Sequence, residues 1–340
     1  MNRKTVLIIL ISAVLFALTG CELRRVDINS GGNPTDLTGA AVKDWPENRL
    51  LTVNGIESDY REVLLYMLSA KEEAELLYGK GIWERVLDEN GNTYGELKKR
   101  QILEDFIDMK IVCAHASDYD IKLFEEENRD IADLTGEFIE RVGKEKLVAY
   151  NISEELVKTL YTNNFLAGKV NEMVTLSVDV NIADEEARQI TIQYFFKSKY
   201  KISAAGRKML LDGNALKALK ETMQELRNTA ASKDNFKSLA EANTDAEGPV
   251  EMVIGTGVLE PSIETIVFSL KDGEISPVLE TEEGYYVYKC VSAYDEDASQ
   301  KRKEALIAER RENAFAELFD SWKKSSSVII DNEKWNRVNP

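Results

Sequence analysis

Gln189-Ile190-Thr191-Ile192-Gln193-Tyr194-Phe195-Phe196 is the stretch whose reading divides the chain. It is β-branched and aromatic with partial alternation, the pattern of a strand. Before it, the periodicity is helical. Leu103, Phe106, Ile107, Ile111 and Ala114 recur at spacings of three and four after Gly95, a one-sided apolar stripe. Val53-Asn54-Gly55-Ile56 reads as a short strand turning into a helix that starts at Ser58 or Asp59 and runs to about Tyr78. A shorter, more polar helix is expected from about Asp130 to Val142, and Ser153-Glu154-Glu155 heads another that runs toward Leu166.

After residue 196 the pattern is mixed. Lys197 to Asn214 is a basic, glycine-containing loop. Ala215 to Arg227 is an amphipathic helix with Leu216, Leu219, Met223 and Leu226 on one face, and a second helix carries Phe236, Leu239 and Ala240. Short strands are expected at Val250 to Ile254, around Ser276 to Leu279, and at Tyr285 to Val291. From Asp297 to Lys324 a charged helix ends in the stripe Phe315, Leu318, Phe319 and Trp322, which needs a partner to pack against. Val328 to Ile330 and Trp335 offer a last strand and a last anchor. The expected class is α+β: a helical N-terminal lobe at 49–186, completed by the returning tail at 296–340, with an antiparallel sheet-and-helix domain inserted at 187–295.

Residues 1–20 combine Arg3 and Lys4 with an apolar run from Val6 to Leu18, and Leu18-Thr19-Gly20-Cys21 follows. As a helix the run would span roughly 20 Å, short of the roughly 30 Å hydrocarbon core, so a signal peptide fits better than a spanning anchor. The ending resembles the bacterial lipobox, which implies that Cys21 is diacylated and becomes the N-terminus, holding the protein on the outer face of the cell membrane. Residues 21–48, with Gly31-Gly32-Asn33-Pro34 and no apolar periodicity, read as a tether.

The chain has 340 residues, 43 Lys plus Arg against 60 Asp plus Glu, and a formal charge of −17. Without a basic block, it lacks the electrostatic footprint of a nucleic-acid binder. One histidine, His115, and three cysteines cannot supply a zinc ribbon or a two-histidine metal helix, and no metal or cofactor is expected. A disulfide between Cys113 and Cys290, placed in different domains, is not indicated.

Phe236-x-x-Leu239-Ala240, Gly257-Val258-Leu259-Glu260-Pro261, Phe268-Ser269-Leu270-Lys271-x-Gly273-Glu274-Ile275-Ser276-Pro277-Val278 and Gly284-Tyr285 stand in one order and spacing. Together they resemble the parvulin family of peptidyl-prolyl isomerases. The lipobox, helical lobe and returning tail extend the resemblance to extracytoplasmic foldase lipoproteins of the PrsA and SurA type. Parvulins carry one histidine in the first strand and one in the last, beside a Cys or Asp. By motif order these positions fall here at Gln193 and Tyr286, with the acidic or thiol position at Thr244 or Asp245. The resemblance thus implies Gln193, Asp245 and Tyr286 as catalytic positions, and Leu259, Ile263, Phe268 and Tyr286 as the proline-binding wall. Gly273 and Gly284 suit turns, and Gly248-Pro249-Val250-Glu251-Met252 departs from the usual glycine-rich segment.

With both histidines replaced, weak or absent isomerase activity is expected, in a membrane-tethered chaperone for unfolded or partly folded secreted proteins. The alternatives are an active prolyl isomerase and, third, a solute-binding lipoprotein, for which the repeated α/β pattern is missing. A homodimer is left open. His115 reads as a helix-surface or domain-contact residue. Lys197, Lys199, Lys201, Arg207 and Lys208 lie where some parvulins recognise acidic or phosphorylated residues, but a solvated loop is the favoured reading. Trp83, Trp322 and Trp335 read as core anchors.

Overall fold

The computed structural model describes residues 46–204, 206–232 and 235–340. The expected signal peptide, Cys21 and nearly all of the expected tether lie outside the described residues. The chain divides into two compact units, one running up to Asp179 and resuming at Arg311–Pro340, the other Val180–Arg310.

In the first unit, β1 (Arg49–Val53) and β2 (Ile56–Asp59) pair antiparallel across Asn54-Gly55. Both turn residues have positive φ, 51° and 81°, as a tight hairpin turn with the twist of its strands requires. Asn-Gly therefore joins two strands, and the helix follows the second of them. Asp59 caps α1 (Tyr60–Tyr78): its carboxylate accepts from the Arg61 N–H, and Glu62 reaches back to the Asp59 N–H. Thr93 and Glu96 repeat the device for α2 (Tyr94–Ala114). Next come α3 (Glu125–Val142), α4 (Lys144–Ala149) and α5 (Glu154–Ser177), the last capped by Ser153. α5 passes the expected end near Leu166 because Ala167, Val170 and Val174 continue its buried stripe.

One core unites these helices. Leu50, Leu51, Leu65, Leu68, Phe138 and Ile131 are fully buried in it, each contributing about 1.5–3 kcal/mol of burial. The tail completes it: β9 (Val328–Ile330) pairs antiparallel with β1, giving the order β2-β1-β9, and Phe315, Phe319, Trp322 and Trp335 join the same cluster. Trp335 sits in α11 (Asn332–Arg337) beneath the Lys99 ammonium, which donates to the carbonyls of Trp335 and Val338. The α+β class and the completing tail are thus as the sequence indicates.

The second unit contains α6 (Asp184–Ala187), β3 (Gln189–Ser198), the hairpin β4 (Tyr200–Ile202) and β5 (Lys208–Leu210), α7 (Gly213–Ser232), α8 (Phe236–Asn243), β6 (Glu251–Gly255), α9 (Pro261–Ser269), β7 (Leu279–Glu280) and β8 (Gly284–Ser292). Its main sheet is antiparallel with the order β6-β3-β8-β7. The basic segment expected to be a loop folds instead as the β4–β5 hairpin. The strand expected around 276–279 shrinks to Leu279–Glu280, with Ile275 making an isolated bridge to Lys289. Ser276 explains this. Its backbone N–H donates to the Tyr288 carbonyl, and its buried hydroxyl accepts from the Tyr288 N–H and donates to the Pro277 carbonyl, pinning the segment without a ladder.

The long helix α10 (Glu296–Ser325) spans the boundary. Its first half belongs to the second unit because Leu306 and Ile307 pack with Val180, Ile182 and Ala187. The division accordingly falls at 179/180 and 310/311, outside the expected 187–295 on both sides. Cys113 and Cys290 are both free thiols, pushed up by burial to about 12 and about 11.

Candidate functional site

The sheet of the second unit has two apolar faces, and β3 feeds both. Ile190, Ile192 and Tyr194 cluster with Tyr286 and Tyr288 of β8 and with Ile263 and Val267 of α9. Phe195 clusters instead with Tyr285 and Val287 and with Met223, Phe236 and Ala240 of α7 and α8. This is the period-two alternation of a strand buried on both sides.

The register fixes which residues meet. Phe196 is opposite Tyr286, Tyr194 opposite Tyr288, and Gln193 opposite Lys289. The Tyr286 ring therefore lies 4.5 Å from Phe196, 5.7 Å from Tyr288 and 6.5 Å from Tyr194, centroid to centroid. Tyr194 and Tyr288 stack at 5.9 Å. Gln193 lies between Ile192 and Tyr194 and points to the opposite face, where its amide donates to Glu251 at 2.6 Å. The residues of β3 that share a face with Tyr286 are Phe196 and Tyr194, the latter one position beyond the residue that motif order selects. Sliding a strand reading by one residue exchanges its faces.

Asp245 is engaged at the end of β3. Its carboxylate accepts from Lys197 Nζ at 2.7 Å and from the Ser198 N–H at 3.0 Å. Its own N–H donates to the Phe196 carbonyl at 2.8 Å, and the Thr244 hydroxyl accepts from the Phe196 N–H at 3.2 Å. The 244–245 segment thus fastens the end of β3. Gln193 and Tyr286 lie on opposite faces of the sheet, and among the described residues no hydrogen bond joins Asp245 to either.

The apolar positions do share one cluster. Leu259, Ile263, Phe268 and Tyr286 all pack in the group around Tyr194 and Tyr288. Ile263 is buried and forms its floor, leaving Leu259 and Met252 half-buried with the aromatic rings. Phe268 lies at the far end of α9 under the Arg188 guanidinium, 5.6 Å from its ring, and Arg188 donates to the Phe268 carbonyl at 3.1 Å. Tyr194, Phe196, Met252 and Tyr288 escape a motif search; strand register is the signal that finds them.

Burial pushes the Tyr286 hydroxyl up, helped by the Tyr194 phenol and by the Glu260 and Glu283 carboxylates. Burial raises Tyr288 well above the ordinary phenol range, with Tyr286, Tyr194 and Glu260 adding to it. The phenols therefore stay neutral at physiological pH. They can donate hydrogen bonds and present ring faces, but they offer no general base. The chain's one histidine, His115, lies in the first unit, stacked on Trp322 at 4.1 Å and hydrogen-bonded to Asp118 at 2.7 Å.

The basic residues are largely engaged. Lys197 pairs with Asp245, Lys199 and Lys220 share Glu280, and Lys208 pairs with Glu283. Lys201 and Arg207 have no ion pair among the described residues. An open groove of about 450 Å³ between α8 and the start of β6 is lined by Lys237, Glu241, Thr244 and Pro249 and includes none of the aromatic group. Among the described residues, no cluster of three or more His, Cys, Asp or Glu could hold a metal, and no helix is long and apolar enough to cross a membrane.

Residues 208–292 match the family described as Rotamase, PPIC-type PPIASE domain. The match begins after β3, the strand that carries Tyr194. Along nearly its full length the chain is similar to foldase proteins PrsA. It is 21% identical to that of Caldanaerobacter subterraneus, over 96% of each chain, and 24% identical to one from Clostridium perfringens, over 98% of this chain and 96% of the relative. A crystal structure of the PrsA foldase from Lactococcus lactis matches 85% of this chain and 97% of its own, with 13% identity and a TM-score of 0.34. The chain thus carries a match to the PPIC-type rotamase domain at 208–292 and is similar to PrsA foldases along nearly its full length.

Proposed function

We propose that this protein is an extracytoplasmic chaperone, lipid-anchored through Cys21, that holds proline-containing segments of unfolded or partly folded secreted proteins and isomerises them weakly or not at all. The observation that carries the reading is the half-buried group of Tyr194, Tyr286 and Leu259, with Phe196 against the Tyr286 ring, largely apolar and free of imidazole. The foldase name of the PrsA relatives supports the client class.

Rotation about an X-Pro bond breaks amide resonance and takes tens to hundreds of seconds uncatalysed. It needs no nucleophile, only a site that prefers the twisted amide to the planar one. Here the prolyl ring would rest on the aromatic rings and Leu259, gaining the area it removes from water. That grip acts alike on planar and twisted forms, so it gives affinity without rate. A phenol hydroxyl is the one donor in the group that could favour a twisted carbonyl. Asp245 is paired with Lys197, and Gln193 with Glu251.

The test pairs two assays on the purified chain from residue 22: proline-peptide isomerisation and suppression of client aggregation. Suppression with turnover far below that of an intact parvulin is expected, and Tyr286→Ala should weaken suppression. Turnover comparable to an intact parvulin, lost on Leu259→Ala, would overturn the reading. For the anchor, Cys21→Ser should release the protein from the membrane fraction.

A further inference from the structure

The aromatic group is edged by acid. Leu259, packed in the cluster, leads directly into Glu260, the residue before α9. The Glu260 backbone carbonyl accepts from the Ile263 and Glu264 N–H groups at 2.9 and 2.8 Å. Its exposed carboxylate has neither hydrogen bond nor ion pair among the described residues. Glu264, one turn on, is occupied instead, accepting from the Gly257 N–H at 2.7 Å. On the other side, the turn before β8 brings exposed Glu282 and Glu283, the second of these paired with Lys208. The cations around the group are mostly spent on Asp245, Glu280 and Glu283, which leaves Glu260 as an uncompensated charge beside half-buried rings.

We propose that Glu260 makes this face selective for proline-containing segments that carry Lys or Arg beside the proline. The proposal rests on the aromatic face being the surface that holds proline, as argued above. The prolyl ring and the aliphatic stem of a neighbouring Lys or Arg lie on the same aromatic bed, the cation attracted to the ring faces, while its head reaches the Glu260 carboxylate. A neighbouring Glu in the client meets Glu260 as a like charge. Because Glu260 is solvent-exposed, the preference is modest, about 2- to 5-fold in affinity over a neutral residue, and it fades as salt rises. The opposing influence is the pair Lys201 and Arg207 on the β4–β5 hairpin, which would favour acidic segments if the hairpin, and not Glu260, set the choice.

The experiment titrates the purified chain from residue 22 with three short peptides that differ only in the residue before proline: Lys, Gln or Glu. Calorimetry at low and high salt should rank them Lys, then Gln, then Glu, and Glu260→Gln should bring the three together with little change for the Gln peptide. Equal affinities, a preference for the Glu peptide, or a Lys preference that survives Glu260→Gln would each overturn the proposal. If none of the peptides binds, and Tyr286→Ala leaves aggregation suppression intact, the aromatic face does not hold proline and the underlying reading falls as well. If the Gln peptide binds and loses affinity on Tyr286→Ala, the underlying reading stands whatever the ranking of charges.

Discussion

Trp322→Ala isolates what the returning tail contributes. Trp322 is 7% exposed, and its ring stacks on His115 at 4.1 Å with a 14° interplanar angle. It meets Tyr119 edge-on at 6.3 Å and Phe315 at 6.2 Å. Truncating a buried Trp to Ala costs about 3–5 kcal/mol, a range that already covers the stacking and edge-on interactions of the indole ring. A domain of this size is stabilised by about 5–15 kcal/mol, so the variant should lose a fifth or more of its margin. With a urea slope of about 2 kcal/mol per M, the midpoint falls by about 1.5–2.5 M.

Tryptophan fluorescence reads this change selectively. Trp83, Trp322 and Trp335 lie in the first unit, Trp45 precedes the described residues, and residues 180–310 contain no tryptophan. Trp83 and Trp335 remain as reporters in the variant. His115→Ala should cost less, because it removes the stacking partner and leaves the indole buried against Phe315 and Phe319. A midpoint shift below about 0.5 M for Trp322→Ala would show that the end of α10 is not packed on the helical core, and the reading of the tail as the completing element would fail.

Lys110→Ala should destabilise the first unit by about 3–5 kcal/mol, because it strands the buried Glu62 that it contacts at 2.6 Å; pairing it with Glu62→Gln in a double-mutant cycle should recover part of the loss in urea titrations. Asp105 is raised to about 6 by burial, then by the neighbouring Asp108 carboxylate, so its contribution to stability is present in full below its unfolded value near 3.8 and disappears as pH rises through about 6. Asp105→Asn should therefore stabilise the first unit at pH 7.5 by about 1–2 kcal/mol and flatten the pH dependence between 4 and 6, read from urea midpoints across that window. Gly284→Ala places a Cβ 2.1 Å from the Lys197 carbonyl oxygen and 2.4 Å from the Phe196 ring, and should cost the second unit about 1–3 kcal/mol or more, seen as a lowered thermal midpoint by circular dichroism.

Much of the fold was legible because its signals are local. Asp59 with Glu62 and Thr93 with Glu96 mark helix starts within four residues of sequence, and the Phe315-Phe319-Trp322 stripe announces a missing partner. Where the reading failed, the deciding contact is distant. The role of Asn54-Gly55 as a hairpin turn is supported by Ser327, far along the chain, whose carbonyl accepts from the Asn54 N–H at 2.8 Å. The β4–β5 hairpin draws on Glu283, paired with Lys208, and on Thr281, whose carbonyl accepts from Lys199 at 2.6 Å. Neither partner is visible from the basic segment itself.

The candidate site was legible only in part, for a sharper reason. Motif order places a residue to within one or two positions, which suffices on a loop or a helix surface. On a strand buried on both faces it does not, since Gln193 and Tyr194 face opposite cores. Within 189–196 the polar Gln189, Thr191 and Gln193 share one parity and Ile190, Ile192 and Tyr194 the other, but Phe195 on the polar parity blurs the division. The tie is broken by β8: a residue opposite Phe196 shares a face with the even-numbered positions of β3, so Tyr286 selects Tyr194. A pair of site residues on adjacent strands is therefore defined by parity before it is defined by chemistry. The same parity makes a double variant informative. If Tyr194 and Tyr286 grip one ring, Tyr194→Ala and Tyr286→Ala should be non-additive for peptide affinity, whereas Gln193→Ala combined with Tyr286→Ala should add within about 0.5 kcal/mol, and the reverse pattern would return the site to the other face of the sheet.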